Sequence, residues 1–190
     1  MIKTFTGPMH SKKTKSMMDV YFGIYNKEHI LCFKPTKDNR DVGEIRSKDY
    51  EEGIPCICID TFDEIMNYMR DDVRTIFIDE VQMLEGNVGV LSYLSIVEEV
   101  DIYVAGLNMT SEQEPFLVMP QIIAISDNVE FIKGSCYDCG RDASFTYFEG
   151  TKTEKIKVGD EGYFPLCDRC LKKRRSKSDM MRLLLKKNTD

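Results

Sequence analysis

Short apolar segments alternate with stretches of helical periodicity along the first two thirds of the chain. The apolar segments predict buried strands at residues 2–6, 30–33, 55–59, 75–78, 102–106 and 121–126. Helical periodicity predicts helices at residues 13–24, 61–70 and 91–100. The second of these begins with Thr61 and Glu64, which have the spacing of a capping box. Strands that alternate with helices predict an α/β fold with a mainly parallel sheet.

The segment that joins the first strand to the first helix has the spacing of a phosphate-binding loop. Such a loop has a Gly, four residues, a second Gly, then Lys and Ser or Thr, and it holds the β- and γ-phosphates of a nucleotide. Lys12 occupies the place of the second Gly, where a side chain costs about 1–2 kcal/mol in strain and crowding. A basic loop that merely turns is therefore an open alternative. The candidate residues are Gly7, Pro8, Met9, His10, Ser11, Lys12, Lys13 and Thr14.

Two acids follow the strand predicted at residues 75–78. Asp79 has the position of a carboxylate that acts through Mg²⁺ beside the phosphates. Glu80 points differently along the chain and could act as a general base for an attacking hydroxyl. Acids also end strands simply because loops are solvated, but a phosphate loop upstream favours the functional interpretation.

Four of the seven cysteines form two CxxC pairs in the last third of the chain. Two such pairs can complete a tetrahedral shell of four thiolates, which is typical of structural zinc. A redox dithiol is the alternative, although one pair would suffice for that chemistry. A closed shell leaves no coordination position for water, so the metal should be structural. The predicted ligands are Cys136, Cys139, Cys167 and Cys170.

Composition narrows the class of protein further. With 190 residues and 42% hydrophobic content, the chain can build one ordinary domain or a core with a small satellite. A net charge of −6 argues against a protein that coats nucleic acid, and the basic C-terminal tail is interpreted as solvated. No apolar run approaches the roughly 20 residues that span a bilayer, and no signal peptide is recognisable. We therefore expect a cytoplasmic protein with no membrane or nucleic-acid partner.

Taken in order, these motifs resemble the zinc-ribbon class of thymidine kinases. The resemblance rests on the phosphate loop, on Lys34-Pro35 with Asp38 and Arg40, and on the strand end at residues 77–82. It also rests on the two CxxC pairs, with Tyr163 just ahead of the second. The similarity covers roughly residues 3–170, which is nearly the whole chain apart from its tail.

This resemblance implies a P-loop core of the RecA-like type, a small zinc-ribbon lobe with a lasso loop over the substrate, and usually a homotetramer. We accordingly divide the chain into a nucleotide-binding core at residues 1–132, a zinc-ribbon and lasso lobe at residues 133–175, and a basic tail at residues 176–190. The implied reaction transfers the γ-phosphoryl group of ATP to the 5′-hydroxyl of thymidine or deoxyuridine, in the salvage of DNA precursors.

The resemblance also implies roles for the residues on the nucleotide side. Lys13 would neutralise the β- and γ-phosphates, Thr14 and Asp79 would hold Mg²⁺, and Glu80 would take the proton of the 5′-hydroxyl. Arg40 would stabilise the transferring group. Gln82 ends the matching strand motif and is assigned to the nucleotide site with the loop.

On the substrate side, the resemblance implies four binding residues. Met9 would line the base pocket, Asp38 would lie near the phosphates, and Tyr163 would contact the nucleoside. The backbone at residues 154–158, including Ile156, would grip the thymine edge as the lasso.

Two departures from the family pattern bear on activity. Lys12 replaces the loop Gly, and Ser111 stands where the family commonly has an aromatic residue that stacks on the base. The loss of stacking could cost about 1–3 kcal/mol of base binding. The alternative function is a catalytically impaired, zinc-stabilised relative that binds nucleotide through a degenerate loop. A zinc-ribbon protein that binds nucleic acid through its tail is a third hypothesis, and it predicts salt-sensitive binding.

Overall fold

The computed structural model describes residues 1–149, 159 and 161–175 of the chain. The predicted lasso at residues 154–158, with Ile156, and the basic tail at residues 176–190 lie outside the described residues. The α-helices are α1 (Lys13–Gly23), α2 (Gly89–Ile96), α3 (Met119–Ile125) and α4 (Asp168–Arg174), and two 3₁₀ helices cover Asp63–Tyr68 and Val81–Met83. The strands are β1 (Ile2–Gly7), β2 (Ile30–Pro35), β3 (Glu44–Ile45), β4 (Ile54–Pro55), β5 (Ile57–Ile59), β6 (Thr75–Ile78), β7 (Asp101–Leu107), β8 (Asn128–Phe131), β9 (Gly134–Ser135), β10 (Asp142–Ala143), β11 (Phe145–Phe148) and β12 (Tyr163–Leu166).

Six of these strands form one sheet in the spatial order β5-β2-β6-β7-β1-β8, and every neighbouring pair in it is parallel. The predicted α/β fold with a mainly parallel sheet is therefore confirmed. Because the six strands run in one direction, their carboxyl ends meet at one edge of the sheet, where ligands bind in folds of this kind. That edge carries the phosphate loop after β1 and the two acids after β6.

Side chains alternate between the two faces of the sheet, so an apolar cluster forms on each face. On one face, Ile76 and Ile78 pack in a cluster that includes buried residues of α2 and α3. On the other face, Phe77 packs with Met17 and Met18 of α1. Because both faces are covered, the strands consist of nearly continuous apolar residues.

Residues 121–126 do not form the predicted strand, because this apolar run belongs to α3. Pro120 lies in the first turn of the helix, where its missing N–H breaks no hydrogen bond. The buried residues of α3 are Met119 and Ile122, which are three residues apart and lie on one helical face. Periodicity alone cannot distinguish a short buried strand from a short buried helix. The strand β8 follows instead and pairs with β1.

The helix predicted at residues 61–70 is a shorter 3₁₀ helix, Asp63–Tyr68. Thr61 does not cap it, because its hydroxyl and its backbone N–H both donate to Glu64 Oε1, at 3.0 and 2.9 Å. Of the two hydrogen bonds of the predicted capping box, the one from the backbone N–H of Thr61 to Glu64 forms, and the one from the Thr61 side chain to the helix backbone does not.

The small lobe consists of two antiparallel pairs, β9 with β10 and β11 with β12, followed by α4. The last strand of the central sheet ends at Phe131 and the first strand of the lobe begins at Gly134. The boundary between the core and the small lobe, placed between residues 132 and 133, stays a prediction. Among the described residues, no helix has the length and apolar character needed to cross a membrane.

Gly106→Ala is expected to lower the free energy of unfolding by about 1–3 kcal/mol. A Cβ at this position of β7 would lie 2.7 Å from Gln82 Oε1 and 2.8 Å from Val81 Cγ1. Gly23→Ala is the matched control, because a Cβ there meets no atom within 4 Å and Ala favours a helix. Urea unfolding followed by circular dichroism measures both variants. Equal stability of the two would contradict the close packing described around Gly106.

Candidate functional site

The phosphate loop joins β1 to α1 with several residues of positive φ. Gly7 has a φ of 155°, and a Cβ there would lie 2.1 Å from the carbonyl oxygen of Ile132. His10 and Lys12 have φ values of 58° and 67°. Lys12 thus adopts the left-handed conformation that favours glycine, which costs roughly 1–2 kcal/mol. The backbone strain expected from the sequence is present.

Two side chains at the start of α1 lie at the carboxyl edge of the sheet. Lys13 Nζ donates to the carbonyl oxygen of Pro8 at 2.7 Å and lies 3.5 Å from Ser11 Oγ. Thr14 Oγ1 lies 3.1 Å from each carboxylate oxygen of Asp79 and donates to it. Because Thr14 lies in the first turn of α1 and Asp79 follows β6, this contact joins the loop to the acids, as the motifs predict.

Asp79 is buried, with 8% of its surface exposed. Burial and then the charge of Glu80 raise the pKa of Asp79 to about 7, although Thr14 and Lys13 act in the opposite direction. A buried carboxylate with a raised pKa lacks a sufficient compensating positive charge. The oxygens of Thr14 and Asp79 are ligands of the kind that Mg²⁺ prefers, so a magnesium ion fits here.

Arg40 holds Glu80 in an ion pair. Arg40 Nη2 lies 2.6 Å from Glu80 Oε1, and Arg40 Nε lies 2.7 Å from Asp38 Oδ1. Gln82 Nε2 donates to Glu80 Oε2 at 2.6 Å, and Gln82 Oε1 accepts the N–H of Leu107 at 2.9 Å. Both carboxylate oxygens of Glu80 therefore accept hydrogen bonds that orient it.

Lys34 is buried, with 3% of its surface exposed, and forms an ion pair with Asp38. Its Nζ lies 3.1 Å from Asp38 Oδ2 and donates to three carbonyl oxygens, those of Arg40, Asp41 and Glu44. Although burial raises the pKa of Asp38, Arg40 and Lys34 together hold it below its usual range. Sequence analysis gave Lys34 no role of its own. The available signal was a lysine near the end of a buried strand, four residues before an acid.

One cavity of about 620 Å³ is lined by most of these groups. Seven of its seventeen lining residues are Lys or Arg and five are Asp or Glu, which suits a polyanion that carries a metal ion. Residues 46–50 also line it, and sequence analysis gave them no role. The predicted site residues that converge on this cavity are Met9, His10, Lys12, Lys13, Thr14, Asp38, Arg40, Asp79 and Glu80.

The residues predicted to bind the nucleoside lie in different parts of the structure. Met9 and Asp38 line the cavity, whereas Tyr163 lies on β12 of the small lobe and Ile156 is outside the described residues. The lobe contacts the phosphate loop directly, because the N–H of Met9 donates to Thr146 Oγ1 at 3.0 Å. The structure therefore brings the small lobe against the residue predicted to line the base pocket.

Ser111 lies in the loop after β7 and is buried, with 4% of its surface exposed. Its hydroxyl has no hydrogen-bond partner within the described part of the chain. Its carbonyl oxygen accepts hydrogen bonds from Gln113 Nε2 at 2.7 Å and from Arg175. Gln113 Nε2 also lies 3.4 Å from the carbonyl oxygen of Thr146. The small side chain at this position is thus enclosed where the loop meets the lobe.

The sulfur atoms of Cys136, Cys139, Cys167 and Cys170 all lie within 4.8 Å of one another and could hold a metal ion. Those of Cys139 and Cys167 are 3.7 Å apart, close to the roughly 3.8 Å expected for two sulfurs on one tetrahedral zinc. Arg141 Nε donates to Cys139 Sγ at 3.5 Å and is the main cause that lowers the pKa of Cys139 to about 6. A lowered pKa favours the thiolate form that binds metal. None of the seven cysteines is in a disulfide.

Comparison with known proteins gives one family. A family model described as thymidine kinase matches residues 1–171. The thymidine kinase of Pseudothermotoga lettingae is 29% identical over 177 residues, which covers 91% of this chain and 95% of that protein.

Asp79→Asn is expected to stabilise the chain near pH 8, without added magnesium, by about 1–3 kcal/mol in the free energy of unfolding. The pKa of Asp79 is raised from an ordinary value near 4 to about 7, so its charge lowers the stability of the folded chain as pH rises through that range. Urea unfolding near pH 8 and near pH 4 measures the difference, which should vanish at the lower pH. An equal effect at both pH values would contradict the burial described for Asp79.

The purified chain is expected to contain about one zinc ion, and Cys139→Ser is expected to lose it and to lower the melting temperature. Cys58→Ser is the matched control, because Cys58 lies outside the cysteine cluster. Atomic emission measures the metal content. Full zinc content in Cys139→Ser would show that the cluster is not the zinc site.

Proposed function

This chain belongs to the thymidine kinase family, and from that premise we propose that it transfers the γ-phosphoryl group of ATP to the 5′-hydroxyl of thymidine or deoxyuridine. The observation that carries the proposal is the convergence of Lys13, Asp79 and Glu80 on one cavity next to the phosphate loop. A cation, a metal-binding acid and a base in one place are the groups that phosphoryl transfer requires.

The donor site is built from the phosphate loop and the start of α1. The backbone N–H groups of the loop and the positive end of the α1 dipole bind the phosphates, and Lys13 neutralises their charge. The Lys13 ammonium would leave the carbonyl oxygen of Pro8, which it contacts in the structure, to reach the β- and γ-phosphates. Thr14 and Asp79 would hold Mg²⁺, which neutralises phosphate charge when it is bound.

The transfer step uses the pair formed by Arg40 and Glu80. Glu80 takes the proton of the 5′-hydroxyl as the hydroxyl oxygen attacks the γ-phosphorus and the bond to the β-phosphate oxygen breaks. Arg40 stabilises the negative charge on the transferring group, while Asp38 orients its guanidinium. Gln82 contacts Glu80 and contributes by orienting this base.

The nucleoside site combines the core with the small lobe. We assign Met9 to the base pocket and Tyr163 to nucleoside contact, and we expect the backbone around Ile156 to contact the base edge. With Ser111 in place of an aromatic residue, we expect stacking on the base to be weaker by about 1–3 kcal/mol.

The cysteine cluster supplies a structural Zn²⁺ site rather than a catalytic one, because four thiolates close the shell. The metal would keep the small lobe folded beside the phosphate loop, where Thr146 contacts Met9. None of the seven cysteines is in a disulfide, which suits the reducing cytoplasm, the compartment that we propose. We also expect a homotetramer, on the basis of the family resemblance alone.

Glu80→Gln is expected to lower kcat for thymidine phosphorylation by about 10²–10⁴-fold with little change in the KM for ATP. The variant keeps an oxygen that accepts from Arg40 but lacks the negative charge that takes the proton. Glu98→Gln is the matched control, because it makes the same chemical change at a residue that follows α2 and does not line the cavity. The measurement is steady-state turnover of ATP and thymidine with magnesium present.

Two results would contradict parts of this proposal. Similar kcat values for Glu80→Gln and the parent chain would remove Glu80 as the base. ATP binding without transfer to any of the four deoxynucleosides would instead favour the alternative, an impaired relative with a degenerate phosphate loop.

A further inference from the structure

Lys12 forms an ion pair that joins the phosphate loop to the segment at residues 46–50. Its Nζ lies 2.9 Å from Asp49 Oδ1, and both residues line the 620 Å³ cavity. The side chains are 63% and 32% exposed, so the pair is solvated and easily exchanged for another partner. Among the residues that the structure describes, Lys12 Nζ is therefore held beside the cavity by one weak contact with a carboxylate.

The position of Lys12 at the start of α1 is electrostatically unfavourable without an anion. Lys12 is the N-cap residue of α1, makes no capping hydrogen bond, and no acid lies in the first turn. Lys13 and Lys15 follow in the same turn. Lys15 is paired with Asp19 at 2.7 Å, whereas Lys12 and Lys13 place two further positive charges at the positive end of the helix dipole, which is unfavourable. An anion with several charges bound at the loop would relieve this repulsion.

We propose that Lys12 is a binding residue for the polyphosphate of the donor nucleotide, and that the phosphates take its ammonium group from Asp49; this proposal rests on the proposed function for the identity of the donor. The four-carbon side chain of Lys12 lets its Nζ move from Asp49 to phosphates held by the neighbouring N–H groups, without a change in the backbone. A polyphosphate carries more negative charge than the single exposed carboxylate of Asp49, so it is the stronger partner. The lysine that strains the loop thereby adds a positive charge that glycine would lack.

The test measures binding of ATP with Mg²⁺ by titration calorimetry, with no nucleoside present so that no turnover occurs. Lys12→Met keeps a non-glycine residue in the left-handed conformation and removes only the charge, so binding should weaken about tenfold. Lys12→Gly also removes the backbone strain, yet it should still bind more weakly than the parent chain. Lys3→Met is the matched control, because Lys3 pairs with Glu130 and does not line the cavity, and its affinity should be unchanged.

Asp49→Asn tests the resting partner of Lys12. Removal of the competing carboxylate should tighten ATP binding about two- to fivefold when Lys12 is present. The gain should be clearly smaller in the Lys12→Met background, because no ammonium is then released. An equal gain in both backgrounds would show that Asp49 acts only as a nearby negative charge and would overturn its assigned role.

Other results separate this inference from the proposed function. Unchanged ATP affinity in Lys12→Met, or tighter binding in Lys12→Gly than in the parent chain, would overturn the role of Lys12 even if thymidine is phosphorylated. If the parent chain binds ATP and fails to phosphorylate thymidine, the proposed function fails, while a weaker Lys12→Met variant would still support Lys12 as a phosphate-binding residue. Melting temperatures of all variants verify that each one is folded.

Discussion

A continuous series of ion pairs and hydrogen bonds holds the carboxyl edge of the sheet in one arrangement. It begins at the buried ammonium of Lys34 and ends at the backbone N–H of Leu107, and it links the ends of β2, β6 and β7. Buried charges are tolerated here because each one is paired, and the loss of one partner would leave another charge uncompensated. The members between its two ends are Asp38, Arg40, Glu80 and Gln82.

The phosphate loop lies next to these residues because β1 pairs with β7 and α1 packs on one face of the sheet. Thr14 on α1 contacts Asp79, the residue before Glu80. The cation of the loop, the buried acid and the oriented base therefore share one cavity, although they come from distant parts of the chain. The small lobe adds a contact from outside the core, in which the N–H of Met9 donates to Thr146 Oγ1.

The sheet, the phosphate loop and the cysteine cluster were predictable because each depends on residues that are close together in the sequence. The parallel sheet follows from alternating apolar strands and helices, the loop from its Gly and Lys spacing, and the cysteine cluster from two CxxC pairs. Contacts between residues distant in sequence were not predictable. Asp49 and Thr146 owe their roles to partners that only the folded chain brings near, and no local pattern marks them. Lys34 differs, because its partner Asp38 is only four residues away and that spacing was an available signal. The helix α3 was mistaken for a strand because four consecutive apolar residues fit either element, and tertiary packing decided between them.

We infer that Lys13, Asp79 and Glu80 surround one magnesium-bound triphosphate. A crystal structure of the chain with Mg²⁺, a non-hydrolysable ATP analogue and thymidine tests it most directly. We expect Lys13 Nζ on the β- and γ-phosphate oxygens, Thr14 and Asp79 at the metal or its water ligands, and Glu80 within hydrogen-bonding distance of the 5′-hydroxyl. A triphosphate bound elsewhere, or a 5′-hydroxyl beyond the reach of Glu80, would contradict it.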